Sequence, residues 1–379
     1  MICGSPARPP GRHGVKMVDR QFWNKKQVFV TGHTGFKGGW LSTWLLEMGA
    51  EVVGYALKPN TAHCFFHLCG LGDRVRSVIA DIRDADALKR AIQESQPEIV
   101  FHLAAQPLVR RSYQDPVETF STNVMGTMNL LDAVRRTPSV KAVVVVTSDK
   151  CYENKERIEG YKEDDPMGGH DPYSASKGCA ELVTSAYRRS YFSGMSHPVA
   201  VASVRAGNVI GGGDWGEDRL VPDAVRALQQ NQPLVVRNPE AVRPWQHVLE
   251  PLAGYLMLAE RLYREKDPWA GAWNFGPRDQ DAVPVGTLAD MVFRLWGKGS
   301  RRASTDQDQP HETHHLKLDC SKAWHILGWR PSLNLEKAVS LTVSWYQQAL
   351  SAEPRPDMYK TTAGQIADYE SRLKTPSRG

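Results

Sequence analysis

The feature that most restricts the fold of this 379-residue chain is an apolar run, Gln27–Thr31, that passes directly into three glycines spaced three residues apart. A helical stretch over residues 37–48 follows. In a strand–turn–helix unit such glycines allow a tight turn and close approach of a pyrophosphate, which the helix N-terminus attracts. The alternative is a merely tight structural turn. The predicted dinucleotide-binding segment is Gly32, His33, Thr34, Gly35, Phe36, Lys37 and Gly38.

Short β-rich runs alternate with helical stretches beyond this turn, which indicates parallel strands joined by crossover helices. The continuous valine run at 143–146 predicts a sheet covered on both faces. We therefore predict an α/β fold: a doubly wound parallel sheet of the Rossmann type with a smaller mixed α/β substrate-binding domain. Strands are predicted at residues 27–31, 51–57, 75–80, 99–103, 142–147 and 199–205, and helices at 37–48, 85–94, 117–136 and 173–191.

The predicted domains are unequal. Residues 1–20 are expected to form a disordered tail; the alternative is that residues 1–16 precede an effective start at Met17. The cofactor domain is predicted at 24–206 plus about 241–275, and the substrate-binding domain at about 207–240 plus 276–360.

Composition excludes several classes of function. The chain has 47 Lys and Arg against 42 Asp and Glu, and this net charge of +5 is dispersed, so no nucleic-acid partner is expected. Apolar stretches are far shorter than the ~20 residues that span a membrane, so no membrane partner is expected. The six cysteines form no CxxC pair, which favours free thiols in the cytoplasm. The histidines within residues 311–315 lack HExxH spacing, so a polar loop and no metal site are predicted.

Tyr173 and Lys177 are four residues apart in a predicted helix and so share one face. A lysine ammonium there is expected to lower the pKa of the tyrosine from about 10 toward neutrality. The phenolate then accepts a proton from a substrate hydroxyl. The alternative is an exposed pair on an amphipathic helix.

Ser148, Asp149 and Lys150 follow the fifth predicted strand. The carboxyl edge of a doubly wound sheet faces the ligand crevice, so these side chains are expected to face substrate. The alternative is a solvated Asp–Lys pair at a strand end. Cys151 lies beside them, but no base accompanies it in the sequence.

Four ordered motifs, the glycine turn, His102-Leu103-Ala104-Ala105, Asn123-Val124-Met125-Gly126-Thr127 and the YxxxK at residues 173–177, resemble those of extended short-chain dehydrogenases/reductases, the NAD-dependent epimerase/dehydratase family. The resemblance covers about residues 27–346. It implies NAD as the cofactor and Tyr173 and Lys177 as the catalytic pair. Further cofactor contacts implied by it are Asp81, Ile82, Leu103, Ala104, Ala105, Gln106 and Asn123.

One expected cofactor residue is absent. The second strand of a dinucleotide fold usually ends in an acid that binds the ribose 2′-hydroxyl, but this strand ends with Leu57 and Lys58. Either neutral groups hold the ribose, or Lys58 accepts the 2′-phosphate of NADP.

The run Ser148-Asp149-Lys150-Cys151-Tyr152-Glu153-Asn154 is similar to that of sugar-nucleotide 4,6-dehydratases, in the branch that acts on CDP-glucose. The branches for dTDP-glucose and GDP-mannose carry Glu where Lys150 stands. The resemblance implies that Tyr173, with Ser148, accepts the C4 hydroxyl proton, that Asp149 protonates the departing C6 hydroxyl, and that Lys150 is either the C5 base or a stabiliser of the enolate.

The remaining expectations concern substrate and assembly. The family's substrate contacts correspond to Asn208, Arg243 and Asn274, and Arg219 is a further candidate for the pyrophosphate, with a surface salt bridge as its alternative. The expected partner is a small nucleotide sugar, and the expected assembly is a homodimer or tetramer. The competing functions are a nucleotide-sugar epimerase or decarboxylase and a non-catalytic dinucleotide-binding scaffold.

Overall fold

The computed structural model describes residues 18–59, 61, 63–194, 197–304, 316–352 and 356–374. Its strands are β1 (Gln27–Thr31), β2 (Glu51–Ala56), β3 (Arg76–Ile79), β4 (Ile99–His102), β5 (Ala142–Val146), β6 (Ala200–Ala206), β7 (Asn208–Ile210), β8 (Leu234–Val236), β9 (Val242–His247), β10 (Gly271–Phe275), β11 (Ala282–Pro284) and β12 (Arg301–Ala303). Its helices are α1 (Arg20–Trp23), α2 (Phe36–Glu47), α3 (Phe65–Leu68), α4 (Ala85–Ser95), α5 (Val109–Gln114), α6 (Pro116–Phe120), α7 (Gly126–Arg135), α8 (Pro172–Tyr187), α9 (Leu220–Gln229), α10 (Leu249–Glu265), α11 (Val285–Trp296), α12 (Leu335–Ala349) and α13 (Met358–Lys374).

Seven parallel strands form the main sheet in the order β3-β2-β1-β4-β5-β6-β10. The predicted Rossmann-type α/β fold is confirmed. Strand order reverses between β1 and β4, where Thr31 pairs with His102. In sheets of this kind the crevice at the reversal point binds the ligand, so the site is expected beyond these two residues.

Both faces of the main sheet are covered, as the valine run predicts. Val28 and Val30 of β1 pack into one apolar cluster, which includes Trp40 of α2. Phe29, between them, points to the opposite face and joins a second cluster with Leu130 of α7. Alternate side chains of one strand therefore pack into two separate apolar clusters. Burial of these apolar side chains holds the helices against the sheet.

The region after β6 adds two smaller sheets. In the first, β9 pairs in parallel with β7 and antiparallel with β11, and in the second β8 pairs with β12. The C-terminal helix α13 returns to the first half of the chain, where Trp44 of α2 donates a 2.7 Å hydrogen bond to Glu370.

Three sequence predictions differ from the structure. The helix predicted at 173–191 ends at Tyr187 and is followed by a π-helical turn over Arg188–Phe192. The helix predicted at 117–136 is divided into α6, a π-helical turn over Ser121–Met125, and α7. A π turn inserts one residue into the helical repeat and commonly marks a functional site. The predicted tail ends too late, because Asp19 caps α1 by accepting bonds from two backbone N–H groups, and Trp23 of this helix is fully buried.

The glycine turn is packed too tightly for side chains at two positions. Gly32 has a φ of +76°, and a Cβ on it would lie 2.8 Å from the backbone nitrogen of Ala104. A Cβ on Gly38 would lie 2.1 Å from the carbonyl oxygen of Gly32. Only glycine therefore lets α2 begin directly against the end of β1.

We expect the substitution Gly38→Ala to lower the free energy of unfolding by about 1–3 kcal/mol, because the backbone of the turn must move to admit a methyl group. Urea denaturation measures this change. The control is Gly364→Ala in α13, where no atom lies within 4 Å of the added Cβ. There alanine should raise stability by up to about 1 kcal/mol through helix propensity. Equal urea midpoints for Gly38→Ala and the unmodified chain would contradict the packing argument.

Candidate active site

A cleft of about 1560 Å³ lies at the carboxyl edge of the main sheet and extends to the segments that follow β6. It brings together most of the residues singled out in the sequence. Those that line it are Gly32, Thr34, Gly35, Phe36, Lys37, Gly38, Asp81, Ile82, Leu103, Ala104, Ala105, Gln106, Ser148, Asp149, Lys150, Tyr173, Lys177, Asn208, Arg219 and Arg243.

The side chain of His33 does not line this cleft, in contrast to the predicted cofactor contact. It is fully buried, and its Nε2 atom shares a 2.7 Å hydrogen bond with the hydroxyl of Ser77. The ring occupies space left by Gly54, where a Cβ would lie 2.2 Å from it. Burial lowers the pKa of His33 to about 4. This histidine therefore supports the glycine turn from behind.

Asn123 also lies behind the cleft wall. Its side-chain oxygen accepts a 2.8 Å bond from the backbone N–H of Gln106, and its nitrogen donates to the Gln106 carbonyl at 3.1 Å. The same nitrogen donates to the hydroxyl of Ser176 at 2.8 Å. Asn123 thus ties the loop after β4, which lines the cleft, to the helix that carries Tyr173.

The far end of the cleft contains Asp81 and Ile82. Arg83 donates from Nε to both carboxylate oxygens of Asp81, at 3.1 and 2.9 Å. These bonds hold the pKa of Asp81 below its usual range, against the opposing effect of burial. Lys58, the predicted alternative partner for a 2′-phosphate, is exposed and is not among the described residues that line the cleft.

Ser148, Asp149 and Lys150 form a tight turn directly after β5. The Ser148 hydroxyl donates a 2.9 Å bond to Asp149 Oδ1 and accepts one from the Lys150 backbone N–H at 3.2 Å. The Asp149 residue is only 5% exposed. A Cβ on Gly207 would lie 2.9 Å from Asp149 Oδ2, so the missing side chain leaves room for this carboxylate.

Tyr173 lies in the first turn of α8, which Asp171 caps by accepting a bond from the Ser174 backbone. The predicted lowering of its pKa by Lys177 is wrong for the protein alone. Burial raises the pKa of Tyr173 to about 12, although a hydrogen bond with Ser148 opposes the rise. The sequence placed the lysine beside the tyrosine but gave no measure of how completely the fold would bury the phenol.

Lys177 is buried one helical turn later. Its Nζ donates to the carbonyl oxygen of Val146, the last residue of β5, at 3.4 Å. Burial, with a smaller contribution from the charge of Lys37, lowers the pKa of Lys177 to about 8. The pKa of Lys37 is likewise lowered to about 8 by burial, and the nearby charge of Arg219 acts in the same direction.

Arg219 completes this group of cations at the cleft. Its Nη1 atom forms a 2.8 Å salt bridge with Asp214, and its side chain is 34% exposed. Arg219 therefore forms a salt bridge, which was the alternative to a pyrophosphate contact, and it also lines the cleft. Lys37, Lys177 and Arg219 together make this part of the cleft suitable for an anionic ligand.

The remaining substrate candidates separate into two groups. Asn208 of β7 and Arg243 of β9 line the cleft from the small sheet. Asn274 does not line it, contrary to prediction, because its amide is buried and bonded within the protein. It accepts from the Tyr152 hydroxyl at 2.8 Å and donates to the carbonyl of Tyr161 at 2.8 Å.

Sequence reasoning missed a buried ion pair beneath the site. Glu181 of α8 accepts bonds from both Arg205 of β6 and Thr147, the residue that precedes Ser148. The only sequence signal was the four-residue spacing from Lys177 to Glu181. The hydrogen-bond partners of Lys177 and Glu181 lie on β5 and β6, so spacing along α8 does not reveal these partners.

Burial raises the pKa of the Cys151 thiol well above its usual value, which opposes a nucleophilic role. In the described part of the chain no group of three His, Cys, Asp or Glu side chains is placed to hold a metal ion, and no helix is long and apolar enough to cross a membrane. The histidine-containing segment 311–315 lies outside the described residues.

Comparison with known proteins agrees with this geometry. The family model for GDP-mannose 4,6 dehydratase matches residues 29–342. The chain is 53% identical over 358 residues, 94% of its own length and 99% of the relative's, to a CDP-glucose 4,6-dehydratase of Salmonella typhimurium (strain LT2).

Two solved structures show similar folds. A dTDP-glucose 4,6-dehydratase from Streptomyces venezuelae with NAD bound is 26% identical with a TM-score of 0.72, and the match covers 84% of this chain and 96% of that one. A UDP-glucose 4-epimerase from Thermus thermophilus in complex with NAD is 26% identical with a TM-score of 0.73, and the match covers 85% and 99%.

The pKa of Lys177 predicts a pH dependence of stability. Between about 8 and its ordinary value of 10.5, the unfolded chain binds this proton and the folded chain does not. The free energy of unfolding should therefore rise with pH in that window, by about 1–3 kcal/mol more in the unmodified protein than in Lys177→Met. Urea denaturation at about pH 7 and about pH 10 measures the difference. The exposed variant Lys298→Met controls for the loss of one charge. Parallel pH profiles for the unmodified chain and Lys177→Met would contradict the burial of a titrating amine.

Proposed function

The chain belongs to the GDP-mannose 4,6-dehydratase family, and from this premise we propose that it converts CDP-glucose to CDP-4-keto-6-deoxyglucose with NAD, in deoxysugar biosynthesis. One observation carries the proposal: Asp149 and Lys150 line the same cleft as Tyr173 and Lys177. Oxidation of a hydroxyl requires only the latter pair, whereas elimination of water needs an additional acid and base. The choice of CDP-glucose among nucleotide sugars rests on the name of the Salmonella typhimurium relative.

The glycine turn fits a dinucleotide. The cradle at Gly32 and Gly38 has no space for a Cβ, and α2 directs its N-terminus toward the cleft wall that these glycines form. Lys58 lies outside the cleft-lining residues, which supports NAD over NADP. When bound, NAD takes up the two electrons removed at C4 of the sugar and returns them at C6.

Oxidation at C4 requires removal of the hydroxyl proton. The phenol oxygen of Tyr173 is the acceptor, and Ser148 is hydrogen-bonded to it. The positive charge of Arg219 favours the phenolate and so opposes the effect of burial on the Tyr173 pKa. Lys177 lies one helical turn later on the same face of α8 and lines the same cleft.

Elimination follows because a ketone at C4 makes the neighbouring C5 proton acidic. Asp149 donates a proton to the departing C6 hydroxyl, which leaves as water. Lys150 either accepts the C5 proton or stabilises the negative charge of the enolate. The 2.9 Å Ser148–Asp149 bond and the missing side chain at Gly207 hold the Asp149 carboxyl at one place in the cleft.

We also infer a homodimer or tetramer in the cytoplasm. Val117 of α6 is 76% exposed, Leu182 of α8 is 60% exposed, and Met125 between α6 and α7 is 46% exposed. Helices α6 and α8 contact each other, so these apolar side chains offer a surface for a second copy. All five cysteines in the described ranges are free thiols, which supports a reducing compartment.

The substrate assignment predicts the outcome of a direct assay. With NAD, the protein should convert CDP-glucose to a product lighter by one water molecule, as measured by mass spectrometry. The dTDP-, UDP- and GDP-linked sugars should react at least about tenfold more slowly, since each tenfold factor needs only about 1.4 kcal/mol of discrimination. Conversion without change of mass would instead indicate an epimerase, and no conversion of any sugar would indicate a scaffold.

The assigned roles predict different effects for two variants. Asp149→Asn should still oxidise C4 but slow water loss by about 10²–10⁴-fold, so reduced cofactor accumulates and its absorbance rises. Lys150→Met should also slow water loss, because the role of C5 base needs the neutral amine and the role of enolate stabiliser needs the ammonium, and methionine provides neither. The exposed variants Asp164→Asn and Lys155→Met control for each loss of charge. A full dehydration rate in Asp149→Asn would remove this residue from the role of acid.

A further inference from the structure

The carboxylate of Glu181 is buried directly beneath the turn at Ser148–Lys150, which we call the catalytic turn. It accepts bonds from the Thr147 hydroxyl at 2.5 Å, from the Ser203 hydroxyl at 2.6 Å, and from Arg205 Nε and Nη2 at 2.9 and 2.8 Å. Burial opposes ionisation of Glu181, but the bonds from Arg205, Ser203 and Thr147 hold its pKa below the ordinary value. The group is therefore a fully hydrogen-bonded carboxylate.

Arg205 extends the same network to the other side of Lys150. Its Nη1 atom donates to the hydroxyl of Tyr152 at 2.6 Å and to the carbonyl of Glu163 at 3.2 Å. The guanidinium also lies over the ring of Tyr152, 4.7 Å from its centre. The Glu181–Arg205 ion pair thus bonds to Thr147, immediately before the turn, and to Tyr152, two positions after Lys150.

The network also reaches the second half of the catalytic machinery. Glu181 follows Lys177 by four residues and Tyr173 by eight on α8, so all three share one side of this helix. Glu181 itself is not among the described residues that line the cleft. Glu181 therefore acts on the reaction through other residues: those that it positions, and Lys177, whose pKa its charge raises.

Stability alone does not explain this arrangement. Burying a carboxylate and a guanidinium costs desolvation free energy, and apolar side chains of similar volume often give equal or greater stability. Hydrogen bonds fix direction and distance, which apolar contacts do not. The catalytic turn and α8 are separate segments, and the proposed reaction requires Tyr173 to act at C4 and Asp149 at C6 of one sugar.

We propose that Glu181, paired with Arg205, is a positioning residue: its bond to Thr147 sets the catalytic turn at Ser148–Lys150 relative to Tyr173 and Lys177. This inference rests on the proposed function and extends it. The bond matters most for elimination, because Asp149 and Lys150 belong to the turn that Thr147 begins, whereas the tyrosine and lysine are already fixed by α8.

Two variants that each remove one hydroxyl donor from Glu181 test the proposal. Thr147→Val keeps the branched shape but removes the side-chain bond that joins the start of the catalytic turn to Glu181. Ser203→Ala removes an equivalent bond in the middle of β6. The bond by which β6 holds the turn, from the Thr147 backbone N–H to the Val204 carbonyl, does not involve the Ser203 side chain. Thr147→Val should lower kcat for water loss by about 10–100-fold, leave KM for CDP-glucose within about twofold, and accumulate reduced cofactor. Ser203→Ala should stay within about twofold of the unmodified enzyme in both constants.

Neither hydroxyl variant removes the carboxylate that pairs with Arg205, so the comparison does not depend on whether a variant at Glu181 itself folds. The melting temperatures of both variants are measured, so that a difference in kcat can be distinguished from a difference in stability. Equal kcat values for Thr147→Val and Ser203→Ala, or a loss that appears in KM alone, would overturn the positioning role. Absence of water loss in the unmodified enzyme would instead overturn the proposed function, so the two failures are distinguishable.

Discussion

Parallel pairing of all seven main-sheet strands is the constraint on which the rest of this structure depends, because it makes every strand end at one edge. The glycine turn follows β1, the Leu103–Gln106 loop follows β4, and the catalytic turn follows β5. Residues far apart in the sequence therefore converge on one cleft without any dedicated local structure. Helix α8 then supplies the tyrosine and lysine from the side, and the small sheet adds Arg243.

Burial gives these groups their chemical character, and it acts in opposite directions on different side chains. It raises the pKa of Tyr173 to about 12 and lowers the pKa of Lys177 to about 8, since in each case the neutral form is favoured. A working proton acceptor at residue 173 consequently needs positive charge nearby. Arg219 provides it. Lys37, Lys177 and Arg219 together suit the diphosphate of a nucleotide sugar.

Local pattern predicted much of this arrangement. The strand-to-helix glycine turn, the valine run of β5 and the four-residue Tyr–Lys spacing are all features that neighbouring residues determine, and each has its expected place in the fold. The sequence failed where long-range packing decides. His33 turns behind the cleft because Gly54, on another strand, leaves space for its ring. Asn274 donates to a backbone carbonyl that is distant in the sequence and comes near only in the folded chain. Glu181 pairs with Arg205 on β6, and residue spacing along the sequence does not reveal where that strand lies.

The central claim is that one cleft oxidises C4 and then eliminates water between C5 and C6 of the same sugar. It is tested most directly with CDP-glucose carrying deuterium at C4, incubated with the protein and NAD in ordinary water and analysed by NMR of the product. The account predicts that deuterium moves from C4 to C6 of the 6-deoxy product, while the hydrogen at C5 comes from solvent. Deuterium that remains at C4, or that is lost to solvent while water is eliminated, would contradict it.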